Sequence, residues 1–161
     1  MQPRLNAAAL APQGFKAMLG LEGYLRTCGL DHRLLHLIKL RASQINGCAY
    51  CIDMHSKDAR AAGETEQRLY LLDAWREAPF YTDRERAAFA WTEAVTKVTE
   101  GHVPDAVFKE VREQFNDKEL ADLTMAIAAI NAWNRMAISF RDLPGGYQPG
   151  QSNHLLERQA H

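Results

Sequence analysis

Two helices and the turn between them are encoded in residues 34–55, LLHLIKLRASQINGCAYCIDMH. Apolar side chains recur there at spacings of three and four residues, which predicts an amphipathic helix over about 32–45 with Asp31 as its cap. Asn46-Gly47 ends this pattern, and a second helix is predicted from Cys48 to Gly63. Opposite the apolar stripe of the first helix lies a polar stripe made of His32, His36, Lys39 and Ser43.

The rest of the chain shows helical spacing and no alternating strand pattern. Further helices are predicted over about 13–28, 66–77, 83–99, 104–115 and 118–140, which gives about seven in total. Thr82-Asp83-Arg84-Glu85 and Asn116-Asp117-Lys118-Glu119 are capping boxes at two of the helix starts. The helix over 118–140 is apolar almost all round and rich in alanine, which predicts a central position. We therefore expect one all-α domain over residues 1–161, with 143–161 as a flexible tail.

Composition restricts the partners of the chain. It has 161 residues, of which 47% are hydrophobic and 24% are charged, and a formal net charge of −1. This balance gives no basic surface for a nucleic acid or an anionic membrane. The first 25 residues lack a signal-peptide pattern, and no apolar run is long enough to span a bilayer. We expect a cytoplasmic protein without a membrane span.

Reactive groups are concentrated at the start of the second helix. Cys48 directly follows the turn, where free backbone N–H groups and the helix dipole favour a thiolate. Cys51 lies three residues further on and His55 four beyond that, so the three side chains share one helix face. The pattern favours redox-active thiols beside an acid–base group, with half of a zinc site or an unreactive core pair as alternatives. The third cysteine, Cys28, is interpreted as a packing residue, and His102 as a loop residue.

The segment from Leu37 to His55 resembles the core of the carboxymuconolactone decarboxylase and alkylhydroperoxidase D superfamily. Gly63-Glu64-Thr65, Trp91-Thr92-Glu93 and Asn131-Ala132-Trp133-Asn134-Arg135 resemble its flanking helices, so the resemblance covers about residues 12–145. The Cys-X-X-Cys-X-X-X-His spacing is typical of the peroxidase branch, whereas the decarboxylase branch lacks the cysteine pair. The resemblance implies an all-helical homo-oligomer that reduces hydroperoxides with its own thiols.

The same resemblance implies roles for individual residues. Cys51 would attack the peroxide and Cys48 would resolve the sulfenic acid, whereas the residues alone favour Cys48, nearer the helix start, as the more acidic thiol. The peroxidase branch carries a glutamate twelve residues before the first cysteine, as the initial base of a proton relay, and that position is His36 here. An imidazole there can pass a proton through water and His55.

The departure at His36 leaves two further interpretations open. One is a tetrahedral zinc site made of His36, Cys48, Cys51 and His55. Another is a helical oligomer whose thiols regulate its interactions. We expect no organic cofactor, an unidentified thiol reductant and a homo-oligomer that uses the helices over 118–140 and 32–45. Hydrogen peroxide, an organic hydroperoxide and a protein disulfide all remain candidate substrates.

Overall fold

A computed structural model of the protein describes residues 1–150, which form eight α-helices and no β-strand. The all-α prediction is therefore confirmed. All seven helices expected from the sequence are present, and a single turn near the N-terminus is the additional one. The helices are α1 (Ala7–Leu10), α2 (Pro12–Leu25), α3 (His32–Asn46), α4 (Ala49–Ala61), α5 (Glu66–Leu71), α6 (Asp83–Thr96), α7 (Asp105–Gln114) and α8 (Asp117–Phe140).

Three of the predicted helices are shorter than expected at their C-termini. α2 ends at Leu25, and its last turn tightens where the Thr27 N–H donates to the carbonyl of Tyr24. α5 and α6 likewise give way to the 3₁₀ turns Leu72–Ala74 and Val98–Glu100. Terminal carbonyls lack partners further along an α-helix, and i→i+3 bonds satisfy some of them. The spacing of apolar residues along the sequence does not distinguish the end of an α-helix from a 3₁₀ turn.

The helix starts agree with the sequence. Thr82 and Glu85 form a reciprocal capping box, as do Asn116 and Glu119. Asp31 caps α3 by accepting a hydrogen bond from the Arg33 N–H. Each cap satisfies backbone donors that the first turn of a helix leaves free.

The core is centred on α3, which packs against α4, α6 and α8. Leu37, Ile38 and Leu40 on α3 are almost fully buried, together with Phe89 on α6 and Ile127 on α8. α8 is the longest helix, yet none of the helices within residues 1–150 is both long and apolar enough to cross a membrane. One face of α8 is exposed, and the opposite face is buried in the core. The prediction of a central position therefore holds for the buried face only.

Two members of the polar stripe of α3, Lys39 and Ser43, are buried rather than solvated. Ser43 is fully buried against α8, where its hydroxyl accepts a hydrogen bond from the Asn134 amide at 3.0 Å. Lys39 is 9% exposed and forms an ion pair with Glu22 of α2. Buried polar groups require such partners, and α2 and α8 supply them here.

The segment after α8 was predicted to be a flexible tail. Its described part, residues 143–150, is hydrogen-bonded to α4. The Gly145 N–H donates to the Asp53 carboxylate at 2.9 Å, and the Tyr147 hydroxyl donates to Asp58 at 2.8 Å. Tyr147 is 6% exposed. The prediction is thus corrected for residues 143–150, because α4 offers carboxylates that periodicity did not indicate as partners. Residues 151–161 lie outside the described residues.

A buried carboxylate joins α3, α6 and the turn after α5. Glu93 accepts hydrogen bonds from Arg41 at 2.9 Å, from the Trp75 indole at 2.8 Å and from Arg76 at 2.6 Å. The side chains of Arg41 and Glu93 are only 11% and 14% exposed. Removal of one partner leaves the other charge inadequately compensated in a low-dielectric environment.

We expect Glu93→Ala to lower the free energy of unfolding by about 3 kcal/mol, because Arg41 keeps only the exposed carboxylate of Asp73 and the Trp75 indole loses its acceptor. Urea denaturation at constant m-value measures the change. Glu100→Ala is the matched control, since Glu100 pairs with Lys97 at 3.7 Å on the surface. That control should shift stability by less than about 1 kcal/mol. Equal effects of the two substitutions would contradict the assignment.

Candidate functional site

The turn between α3 and α4 positions the two neighbouring cysteines. Gly47 adopts a left-handed conformation with φ +68°, which ends α3 and lets Cys48 begin the next helix as its N-cap. The Cys48 sulfur accepts a hydrogen bond from the Cys51 N–H at 3.4 Å. Cys48 and Cys51 are 1% and 2% exposed, and both are free thiols. The sequence therefore brings both sulfurs together at a helix N-terminus, as the spacing predicted.

The two thiols differ in acidity because they hydrogen-bond to each other. The bond from the Cys51 thiol, with further help from the Cys51 N–H and from Asn134, lowers the pKa of Cys48 to about 7 against the cost of burial. The same bond, together with burial, raises the pKa of Cys51. In the resting pair the negative charge resides on Cys48 while Cys51 keeps its proton.

His55 lies one turn after Cys51 on α4 and is 6% exposed. Neither ring nitrogen has a hydrogen-bond partner within residues 1–150. Burial, reinforced by the positive charge of Lys39 and by His36, holds the pKa of His55 well below its usual value. The imidazole is thus neutral at physiological pH.

His36 approaches His55 from α3. The centroids of the two rings are 6.4 Å apart. Burial first, and then the charges of Lys39 and His32, lower the pKa of His36 to about 4. His36 is partly buried, so it does not belong to a solvated helix face. The structure thereby brings together His36 and His55 as the sequence interpretation required.

Asp58 also belongs to this cluster, although it was not singled out from the sequence. Its carboxylate and the imidazole nitrogens of His36 and His55 provide ligand atoms within 4.8 Å of one another. Asp58 follows His55 by three residues on α4, and this helical spacing was the available signal. The Tyr147 hydroxyl donates to Asp58 from the segment after α8, a contact that no local pattern reveals.

The alternative zinc set of His36, Cys48, Cys51 and His55 does not match this arrangement. Within residues 1–150, the group whose ligand atoms converge contains two histidines and Asp58, and neither cysteine is part of it. The cysteine pair sits one to two turns earlier on α4 and turns toward Asn134 of α8. The spacing along the chain correctly predicted that these side chains lie near one another, but it did not predict which of them converge.

A cavity of about 830 Å³ opens beside these groups. Cys51, His36, His55 and Asp58 line it, whereas Cys48 lies behind Cys51 and is not on its wall. The remaining wall is largely apolar and includes Phe15, Leu19, Met54, Trp133, Met136 and Phe140. Of the two cysteines, Cys51 is therefore the one that lines a space large enough for a small organic molecule.

The other two residues considered from the sequence lie away from this site. Cys28 is partly buried at the edge of the main core, where its thiol donates to the carbonyl of Leu25 at 3.2 Å. His102 lies in an exposed turn with φ +57°. Both positions agree with the structural roles assigned to these residues.

The sequence of this chain matches one protein family and is similar to a bacterial relative. The model of the carboxymuconolactone decarboxylase family matches residues 12–94. YdfG of Bacillus subtilis, whose function is uncharacterised, is 43% identical over 139 residues, which cover 86% of this chain and 95% of the relative.

Solved structures share the same architecture. A protein of unknown function from Agrobacterium tumefaciens, for which a role as antioxidant defence protein AhpD has been suggested, is 49% identical with a TM-score of 0.88. The match covers 91% of this chain and all of that one. A peroxidase-related protein from Ralstonia eutropha JMP134 has a TM-score of 0.76 at 24% identity, over 87% of this chain and 75% of that one. The second likeness concerns the fold alone.

Proposed function

Because the chain belongs to the carboxymuconolactone decarboxylase family, we propose that it is a thiol-dependent peroxidase that uses Cys48 and Cys51. One observation carries the proposal: in a hydrogen-bonded pair of buried thiols, one member, Cys51, lies on the wall of a large cavity. An unreactive core pair would need neither the open space nor the neighbouring buried imidazole of His55. The family also includes enzymes of other reaction types, so the thiol site is what favours the peroxidase reaction.

The proposed cycle begins with proton loss from Cys51. Its thiolate attacks one oxygen of the hydroperoxide, the O–O bond breaks, and the products are a Cys51 sulfenic acid and an alkoxide that takes up a proton. The Cys48 thiolate then attacks the sulfenic sulfur, which expels hydroxide that is protonated to water and forms the Cys48–Cys51 disulfide. Two thiols and one hydroperoxide thus yield a disulfide, an alcohol and water. An external dithiol must reduce the disulfide.

His55 is proposed to move the protons of this cycle. It lies on the same cavity wall and one helical turn beyond Cys51, and its neutral imidazole can take the thiol proton and return it to the leaving alkoxide. His36 lies beside His55, with the ring centroids 6.4 Å apart, and lines the same cavity, so it can exchange that proton with the cavity. Its position is that of the relay glutamate in the peroxidase branch, which the sequence resemblance had indicated.

The lining of the cavity favours an organic hydroperoxide as substrate. Aromatic and aliphatic side chains make up most of the wall, including Phe15, Trp133 and Phe140, and the volume of about 830 Å³ far exceeds that of hydrogen peroxide. Apolar surface removed from water supplies binding energy that only a substrate with an apolar body can use. We therefore expect cumene hydroperoxide to show a lower KM than hydrogen peroxide.

The proposal is tested by counting free thiols in the reduced protein before and after stoichiometric peroxide. Loss of two thiols, their recovery with dithiothreitol, and steady consumption of cumene hydroperoxide by dithiothreitol would support it. Mapping by peptide mass analysis should place the disulfide between Cys48 and Cys51. Unchanged thiols after peroxide treatment, or a disulfide that involves Cys28, would overturn it.

The thiolate of Cys48 should titrate within the physiological pH range. Its pKa of about 7 lies below that of an ordinary cysteine, so thiolate absorbance should rise through about pH 7 as pH increases. Peroxide reduction should rise over the same interval, because ionised Cys48 is the form that resolves the sulfenic acid. Cys51→Ala removes the thiol donor and should move the absorbance step to higher pH. Cys28→Ser is the control and should leave it in place.

We also propose that the protein forms a homo-oligomer through α8. Every third or fourth residue of this helix is exposed on one side, in a row made of Ala121, Met125, Ala128, Ala132, Arg135 and Ile138. Within α3 the exposed residues are His32 and Arg33 at its start, so we place the main contact on α8. Small side chains along α8 permit close approach of a second helix.

Ala128→Glu should dissociate the oligomer, because it places a charge within the apolar contact. Light scattering at micromolar concentration measures the mass of each variant. Ala106→Glu on α7 is a matched control, since Ala106 is also an exposed helical alanine. A monomeric mass for the wild-type protein, or equal effects of the two substitutions, would contradict the proposed interface.

A further inference from the structure

We infer that His36, His55 and Asp58 form a binding site for one divalent cation of the first transition row, with Zn²⁺ as the representative ion. Two imidazole nitrogens and one carboxylate oxygen converge from α3 and α4 within 4.8 Å of one another. The site does not include the thiols, but two of its ligands, His36 and His55, are the residues proposed above to move protons, so a bound ion would occupy that relay.

The spacing of the donors is close to that of a metal centre. Nitrogen and oxygen ligands lie about 2.0–2.2 Å from Zn²⁺, which sets them roughly 3.4 Å apart in a tetrahedron. The widest separation in the cluster must therefore shrink by about 1.4 Å on binding. Rotation of the Asp58 carboxylate and the His36 ring supplies such a movement, because both side chains are only partly buried at the cavity wall.

His55 is the strongest sign that this cluster accepts a ligand. Its ring is 6% exposed, and neither nitrogen finds a hydrogen-bond partner within residues 1–150. An unsatisfied buried polar group destabilises the folded state. Its ring lines the same cavity wall as the two other donors. A cation bound at a nitrogen lone pair of His55 would offset that destabilisation.

The donor set selects the class of ion. Imidazole nitrogens suit Zn²⁺, Fe²⁺ and Co²⁺, whereas Mg²⁺ and Ca²⁺ require oxygen ligands. Asp58 supplies one negative charge, and the nearby charge of Lys39 is offset by its ion pair with Glu22. The Tyr147 hydroxyl donates to one oxygen of Asp58 and orients the carboxylate as an outer-shell partner. The cavity leaves the remaining coordination positions open to water or a small ligand.

Binding is best measured in the Cys48→Ser/Cys51→Ser double variant of the full chain, because thiolates themselves bind Zn²⁺. Calorimetric titration should show one equivalent of Zn²⁺ bound and no binding of Mg²⁺. Co²⁺ should give visible absorption without a thiolate-to-cobalt charge-transfer band. Since the double variant lacks the proposed peroxidase thiols, failure of the peroxidase proposal leaves this measurement unaffected.

Substitutions at the cluster identify the ligands. In the same background, His36→Gln and Asp58→Asn should each weaken Zn²⁺ binding by at least about 100-fold, and Tyr147→Phe by about 10-fold. Both ligand substitutions are close in size to the original residues at partly buried positions, and circular dichroism verifies their helix content. His32→Gln is the matched control, because His32 lines the cavity outside the cluster and should retain binding.

Two results would overturn the inference. One is Zn²⁺ affinity that is unchanged by both His36→Gln and Asp58→Asn. The other is loss of Zn²⁺ binding on removal of the two cysteines alone, which would assign the ion to the thiol pair.

Discussion

Replacement of Cys51 by serine is expected to lower the rate of hydroperoxide consumption on the order of 10⁴-fold or more, because it removes the attacking sulfur. Cys51 is the cysteine of the pair that lines the cavity, so no other sulfur of the pair meets a bound peroxide directly. The measurement is the steady-state rate with cumene hydroperoxide and dithiothreitol at fixed pH. Serine keeps the size of the side chain and can still donate a hydrogen bond to Cys48.

Two further cysteine substitutions make the result specific. Cys48→Ser should stop turnover but still permit one attack, so a sulfenic acid should accumulate on Cys51 and be trapped by dimedone. Cys28→Ser should leave the rate unchanged, because Cys28 lies at the edge of the main core with its thiol bonded to Leu25. Dimedone labelling of Cys48 in the Cys51→Ser variant would reverse the proposed roles.

The greater acidity of Cys48 does not make it the attacking group. Its pKa is lowered because Cys51 donates a hydrogen bond to it, and so the negative charge rests on the sulfur that is hidden from the cavity. Thiolate character promotes attack only where the oxidant can reach the sulfur. A thiolate at Cys48 is instead well suited to resolve the sulfenic acid that forms beside it. Access to the cavity thus favours Cys51 as the attacking cysteine, and greater acidity favours Cys48 as the resolving one.

The local features of the site were accessible from the sequence because they depend on neighbours along the chain. Gly47 ends α3 in a left-handed conformation, and this sets Cys48 at the N-cap of α4. The spacing of Cys48, Cys51 and His55 then follows from the helical repeat. Caps at Asp31, Thr82 and Asn116 are likewise short-range patterns, and the structure confirms them.

The features that the sequence did not reveal depend on contacts between distant segments. The polar stripe of α3 was indistinguishable from a solvated face until α8 covered Ser43 and Glu22 of α2 paired with Lys39. Asp58 joins the two histidines only because α3 brings His36 across to α4. Tyr147 reaches Asp58 from a segment whose glycines and prolines indicated no fixed structure. Helical periodicity predicts which face of a helix is buried, but it does not identify the segment that packs against that face.

Loss of the His55 imidazole is expected to slow peroxide reduction by roughly 10²- to 10⁴-fold, the usual effect of removing a general base. His55→Ala should reduce the rate while the disulfide still forms slowly with excess oxidant, since both cysteines remain in place. The measurement is the single-turnover rate of thiol loss at a pH above about 7, where Cys48 is already ionised.

Rescue experiments separate proton transfer by His55 from a merely structural role. The cavity beside His55 has room for free imidazole, which should restore part of the activity of His55→Ala but leave Cys51→Ser inactive. His36→Glu is informative in the same assay, because it introduces the carboxylate that the peroxidase branch carries at this position and should preserve the relay, whereas His36→Ala should interrupt it. If imidazole fails to raise the rate of His55→Ala, and if both His36 variants match the wild-type protein, neither histidine transfers the proton. In that case the Cys48 thiolate, hydrogen-bonded to Cys51, would be the base that accepts it.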